Sequence, residues 1–196
     1  MKKGLIVIIA LVALVAIVFF WYTATYNKLV KVDEAVTAQW GNVENQYQRR
    51  SDLIPNIVAT VKAYAQHEQG TLEGVVNARA KATQVTIDPT NLNEQTMAQF
   101  QAAQGEVSSA LSRLLVSVEQ YPDLKANQNF MDLHAQLEGT ENRIAYQREE
   151  FNKTAREYNT LVRKFPNNII AGMSGFDVKP YFKAEAGAEQ APKVEF

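Results

Sequence analysis

The sequence predicts an all-α protein: one N-terminal transmembrane helix that continues into an elongated up-and-down antiparallel bundle of three to four helices, the first kinked near Pro55. Three observations predict it. Leu5 to Tyr22 is a run of eighteen residues without a charge, a proline or a glycine. As a helix it would measure about 27 Å, close to the roughly 30 Å hydrocarbon thickness of a bilayer. Beyond it, apolar residues recur at steps of three and four along most of the chain, the period of a helix with one buried face. The stretches that break this rhythm are short, as in antiparallel helical bundles.

The first element begins with Lys2 and Lys3 and closes its apolar run with Trp21 and Tyr22, residues suited to a membrane interface. The residues that follow offer no small-x-small cleavage site, so the run reads as a retained anchor and not as a signal peptide. No glycine or proline occurs between Leu5 and Trp40, so the anchor is expected to run on as helix. Its apolar phase continues through Tyr26, Leu29, Val36, Trp40, Val43, Tyr47, Ile54, Ile57, Val61 and Tyr64, with Asp33 and Arg50 at two positions of the same stripe. The phase passes straight through Pro55. A proline there removes the bond to the carbonyl of Ser51, which predicts a kink in preference to a reversal.

The second segment is expected to reach about Thr83, weakened by Gly70 and Gly74, with a connection over 84–93. Asp88-Pro89 suits a turn, and Asn91 with Glu94 has the spacing of a capping box. Met97, Phe100, Val107, Leu111, Leu114 and Val118 form the next stripe, which Tyr121-Pro122-Asp123 ends. The last long helix carries Phe130, Leu133, Leu137, Ile144, Phe151, Tyr158, Leu161 and Phe165, and stops at Phe165-Pro166. Three regions follow: an anchor over 1–25, a bundle over 26–168 and an extended tail over 169–196. In the tail Phe176, Tyr181, Phe182, Val194 and Phe196 are expected to pack onto the bundle.

Charge narrows the function classes. Residues 1–31 hold four of the 20 basic residues and none of the 21 acidic ones, which leaves a mildly acidic remainder with no Lys/Arg stripe. That composition does not suit nucleic-acid binding. Without cysteine there is no disulfide, thiolate metal site or lipidated cysteine. His67-Glu68 and the pair His134 and Glu138 are the only histidine clusters. They complete no His-Glu-x-x-His or Glu-x-x-His pattern, so no metal, cofactor or catalytic residue is assigned. Arg50, Asp52, Glu141 and Arg143 suit an Arg–carboxylate network that fixes helix register, with Asp52 a possible cap at the Pro55 kink. Gly70-x-x-x-Gly74 and the outer face of a rod-like first helix suit association with a second copy, in the manner of a coiled coil. The ending Lys193-Val194-Glu195-Phe196 suits docking on the bundle itself or on a neighbour.

The strings Tyr26-Asn27-Lys28-Leu29-Val30, Arg49-Arg50-Ser51-Asp52-Leu53-Ile54-Pro55-Asn56 and Val61-Lys62-Ala63-Tyr64-Ala65-Gln66-His67-Glu68 resemble the LemA family. So do Tyr121-Pro122-Asp123-Leu124-Lys125-Ala126-Asn127, Thr140-Glu141-Asn142-Arg143-Ile144-Ala145, Phe165-Pro166, Gly175-Phe176 and Tyr181-Phe182. Lys183 departs from the glutamate usual there in the family. The resemblance implies a bacterial inner-membrane protein with one span and an up-and-down bundle, and no established reaction. It also implies a neighbourhood of membrane metalloproteases for some members, and a short N-terminus outside the cell. The lysines before the span argue for the opposite orientation, with the N-terminus inside and the bundle outside the cytoplasm. The expected role is a self-assembling interaction or scaffold protein in contact with the lipid bilayer. The alternatives are an adaptor for a membrane protease, and an enzyme using a His/carboxylate site.

Overall fold

The computed structural model describes residues 2–65 and 68–184. The chain is all-helical, with no strand among the described residues. Helix α1, Lys2–Tyr64, is 63 residues long, about 95 Å at the usual rise per residue. Its first part, Leu5 to Phe20, is more than half exposed at every large apolar residue. By length and composition this part of α1 could cross a membrane. From Thr25 onward the same helix enters the core. Leu29, Val36, Trp40, Val43, Tyr47, Arg50, Ile54, Ile57 and Val61 are all buried, so the stripe read from the sequence is the packing face from Leu29 to Val61, while Tyr26 and Tyr64 at its two ends are exposed.

Pro55 lies inside α1, which passes through it without a reversal. The missing N–H leaves the Ser51 carbonyl without its helical donor. A neighbouring helix supplies one: Arg79 Nε donates to the Ser51 carbonyl at 2.8 Å and to Ser51 Oγ at 3.1 Å. Replacing Arg79 by leucine should therefore cost about 1–2 kcal/mol in the native sequence. It should cost clearly less in a Pro55→Ala background, where the restored Ala N–H takes the carbonyl. Equal costs in the two backgrounds, by thermal melting of the four proteins, would refute the coupling.

The chain reverses ten residues later than Pro55. The expected continuous segment to Thr83 is corrected here: α1 ends at Tyr64 and α2, Gln69–Gln84, folds back along it. Leu72, Val75, Ala78 and Ala82 face the core. A single 3₁₀ turn over Pro89–Asn91, capped by the Asp88 carboxylate on Thr90 N–H, leads to α3, Glu94–Val118. The cap of α3 is also corrected. Asn93, not Asn91, accepts from Thr96 N–H, and the Thr96 hydroxyl answers the Asn93 N–H. Pro122 opens the short α4, Pro122–Lys125, and Asn127 caps α5, Gln128–Arg163, through Phe130 N–H.

The start of the expected extended tail is corrected as well. Asn167–Ser174 forms a sixth helix, α6, whose Ile170 and Ala171 are buried. It ends at Gly175, whose φ of 75° lies in the left-handed region that glycine tolerates best. Phe165, read as a core position, is 76% exposed because α5 has already ended at Arg163.

Helices α1 and α5 pack antiparallel along most of the bundle, and α2 and α3 flank the half farther from the candidate span. Two apolar clusters result. The proximal one joins α1 from Leu29 to Tyr47 with Met97, Phe100, Phe151, Tyr158, Ile170 and Phe182. The distal one joins Ile54, Ile57 and Val61 to the inner faces of α2, α3 and α5.

Candidate functional site

Between the two clusters lies a polar layer centred on Arg50, which is 2% exposed. Tyr47 below it belongs to the proximal cluster and Ile54 above it to the distal one. Arg50 Nη1 donates to Glu141 Oε1 at 3.0 Å, to Oε2 at 3.2 Å and to Ser108 Oγ at 2.8 Å. Nη2 donates to the Gln104 carbonyl at 3.1 Å and to Gln104 Oε1 at 2.5 Å. The guanidinium also lies 5.1 Å from the centre of the Tyr47 ring. One side chain from α1 thereby ties α3 to α5, and a buried charge is matched by acceptors on two helices. Thr140, fully buried one residue before Glu141, returns its hydroxyl to the Gln136 carbonyl.

Two open clefts flank this layer. One, of about 370 Å³, runs past Arg50, Ser51, Arg79, Phe100 and Gln104. The other, of about 620 Å³, has Tyr47 and Arg50 at its base, Gly105, Ser108 and Ser112 on one wall, and Glu141 and Arg148 on the other. Lys183 and Ala184 also line that second cleft.

The C-terminal segment reaches this cleft from the proximal end, and two asparagines on α5 guide it. Asn159 Oδ1 accepts from Lys179 N–H at 2.7 Å, and its Nδ2 donates to the Lys179 carbonyl at 2.8 Å. Asn152 does the same for Phe182, at 2.8 and 2.9 Å. Each amide reads both backbone groups of one residue, as a neighbouring strand would, so an extended segment gains partners without a sheet. Lys179 is itself buried. Its ammonium pairs with Asp33 of α1 at 3.0 Å and lies 5.5 Å from the centre of the Tyr158 ring. Burial, with Asp33 and Asp177 nearby, raises the Tyr158 hydroxyl well above the ordinary tyrosine range. The neutral phenol thus supports the fold through neutral pH, and its contribution is lost only as pH rises past that range.

The residues singled out in the sequence fall into three groups. Arg50 and Glu141 meet. Asp52 does not join them; it is exposed and accepts from Gln48 on its own helix at 2.8 Å. Arg143 is exposed and lies over Gly139 one turn back. Phe176 packs edge-on against Tyr26, at 5.7 Å between ring centres. Phe182 is buried, stacked on Trp40 at 5.9 Å and edge-on to Phe151 at 5.4 Å. Tyr181 stays on the surface, its hydroxyl accepting from Asn159 Nδ2 at 2.9 Å. Val194 and Phe196 lie outside the described residues, as does His67. Lys183, the departure from the family pattern, uses its backbone here: its N–H donates to Gln101 and its carbonyl accepts from Arg148.

The histidine readings find no shared site among the described residues. Glu68 accepts from the Tyr121 hydroxyl at the α1–α2 turn. His134 stacks on Phe130 beside Glu138, in a groove that Glu68 does not line. Among the described residues no three His, Asp or Glu stand where they could hold a metal ion. A Cβ at Gly70 or Gly74 would meet nothing within 4 Å, so neither glycine serves a close approach between helices of this chain.

Sequence reading missed Asn152, Asn159, Lys179 and Arg79. The seven-residue spacing of the two asparagines, which keeps both on one helical face, was the available signal.

The LemA family model matches residues 39–196. The chain is similar to the magnetosome protein MamQ of Magnetospirillum gryphiswaldense, 28% identical over 201 residues that cover 93% of this chain and 74% of that protein. It is similar to the magnetosome protein MamQ 2 of Paramagnetospirillum magneticum at 28% over 181 residues, 84% of this chain and 66% of that one. It is also similar to the protein LemA of Metamycoplasma hominis, 22% identical over 157 residues, 80% of this chain and 68% of that one.

Proposed function

Because the chain belongs to the LemA family, we propose that it is a single-pass scaffold or interaction module of the bacterial inner membrane. In this reading it assembles with copies of itself and carries its bundle outside the cytoplasm. One observation supports this reading above the others. The helix suited to cross the membrane and the central helix of the bundle are one uninterrupted element, Lys2–Tyr64. Buried residues begin at Thr25, within one turn of Tyr22. A flexible linker would let a domain tumble above the bilayer. A continuous helix instead fixes the height and angle of the bundle, which a repeating assembly requires of every subunit.

Chemical crosslinking in native membranes tests it. The natural chain should give a ladder of multiples of one subunit. Four glycines inserted after Tyr22 should abolish the ladder while the bundle melts as before, because glycine breaks the coupling and leaves the core intact. A natural chain that yields only monomers removes the scaffold. Monomers recovered in mild detergent with a membrane protease would put the adaptor in its place.

A further inference from the structure

The end of the bundle nearest the span carries apolar surface that no other described part of the chain covers. Phe165, Ile169 and Met173 are 76%, 51% and 76% exposed. Spaced four apart, the latter two share one side of α6, with Phe165 at its lead-in. The opposite side holds Ile170 and Ala171, buried in the proximal cluster. An apolar stripe of this kind on a protein surface marks an interaction.

Three observations place the stripe beside the bilayer. Phe176, just past α6, rests on Tyr26, and Tyr26 stacks on Tyr22, the last residue of the apolar run, at 6.3 Å. The antiparallel register, with Gln39 beside Gln147 and Arg50 beside Glu141, brings the end of α5 level with the same turns of α1. Tyr26 lies only about 6 Å along the helix from Tyr22, and the headgroup layer is itself roughly 5–8 Å deep. The charges agree. Lys28 and Lys31 on α1, and Arg163 and Lys164 at the end of α5, are all exposed. Of the acids nearby, Asp33 is engaged by Lys179, while Glu34 and Asp177 are exposed and fewer than the four cations.

We propose that α6 is an interfacial helix. Phe165, Ile169 and Met173 enter the headgroup–acyl boundary of the bilayer that α1 crosses, and the four cations meet anionic phospholipid headgroups. This rests on the reading of α1 as a span and adds something a span cannot provide. A single helix sets height and tilt but leaves rotation about its own axis free. A second contact on one side selects which face of the bundle turns towards the membrane.

The absence of cysteine permits single nitroxide labels on the full chain at Met173→Cys, Val12→Cys and Val116→Cys. Val116 is 70% exposed at the far end of α3 and serves as the aqueous reference. In phosphatidylcholine–phosphatidylglycerol vesicles, collision rates with oxygen and with a nickel chelate report depth. The oxygen-to-nickel ratio at Met173 should exceed that at Val116 several-fold, lie below that at Val12, and fall in vesicles of phosphatidylcholine alone. A ratio at Met173 equal to that at Val116, with Val12 in hydrocarbon, overturns the proposal and leaves the span standing. An aqueous Val12 overturns both. Poor collision with both reagents at Met173 means that protein covers the helix, a second copy for example, and also overturns it. A ratio that is the same in both vesicles overturns the part played by anionic headgroups.

Discussion

Arg50→Ala should destabilise the bundle by about 3 kcal/mol, the lower end of the range for breaking a buried ion pair. The lower end applies because Glu141 is 39% exposed and can turn towards water once its partner is gone. What cannot be recovered is the link from α1 to both α3 and α5, and the volume of the arginine stem between Tyr47 and Ile54. Arg50→Met should cost less, since the stem is kept. Glu141→Gln should cost about 1 kcal/mol, because an amide oxygen still accepts. Thermal melting of the full chain in mild detergent gives the order. If Arg50→Ala melted like the natural chain yet lost assembly in membranes, the layer would be a functional site and not a structural one.

Trp40→Ala should cost as much or more, about 3–5 kcal/mol. Trp40 is fully buried and touches three other rings: Phe100 at 5.2 Å, Phe151 at 5.6 Å and Phe182 at 5.9 Å. Those rings come from α3, α5 and the C-terminal segment, so the indole is where three parts of the chain meet α1. Trp40→Phe should be far milder. It keeps most of the ring contact, and it loses no hydrogen bond, since the indole Nε1 has no acceptor in its apolar surroundings. A cost for Trp40→Phe close to that of alanine would mean that the indole is fixed by something other than packing. The same melts decide this.

Much of the fold was legible because one physical signal, the helical period of apolar residues, dominates it. The stripe from Leu29 to Val61 was read correctly through Pro55, since burial on both sides of the proline outweighs one lost backbone bond that Arg79 compensates. The reversal after Tyr64 was not legible. Residues 61–65 carry no breaker at all, and Gly70 and Gly74, read as weak points of a continuing helix, lie inside α2 beyond the reversal. Helix α6 was missed for a related reason: Gly172, Gly175 and Pro180 read as the end of periodicity, yet Gly172 lies inside the helix and Gly175 ends it. The site divides in the same way. Arg50 stood out as a charge in an apolar stripe, and Glu141 followed as its complement. The asparagine clamps did not stand out. Polar residues on a long helix look like solvent-facing surface until an extended segment is laid against them.

The contact between Trp40 and Phe182 has a consequence in time. The two residues are separated by 142 positions, and a ribosome adds about 5–20 residues per second. Trp40 is therefore made roughly 7–30 seconds before the segment that covers its aromatic face. The distal cluster is different: Ile54, Ile57 and Val61 meet α2 and α3 well before the chain ends. Folding should then proceed from the far end of the bundle back towards the bilayer. The layer beside the membrane closes last, when Lys179 reaches Asp33 and Phe182 reaches Trp40. Until then the nascent protein is an open clasp, anchored at one end and already packed at the other, and the segment from Lys179 to Phe182 fastens it.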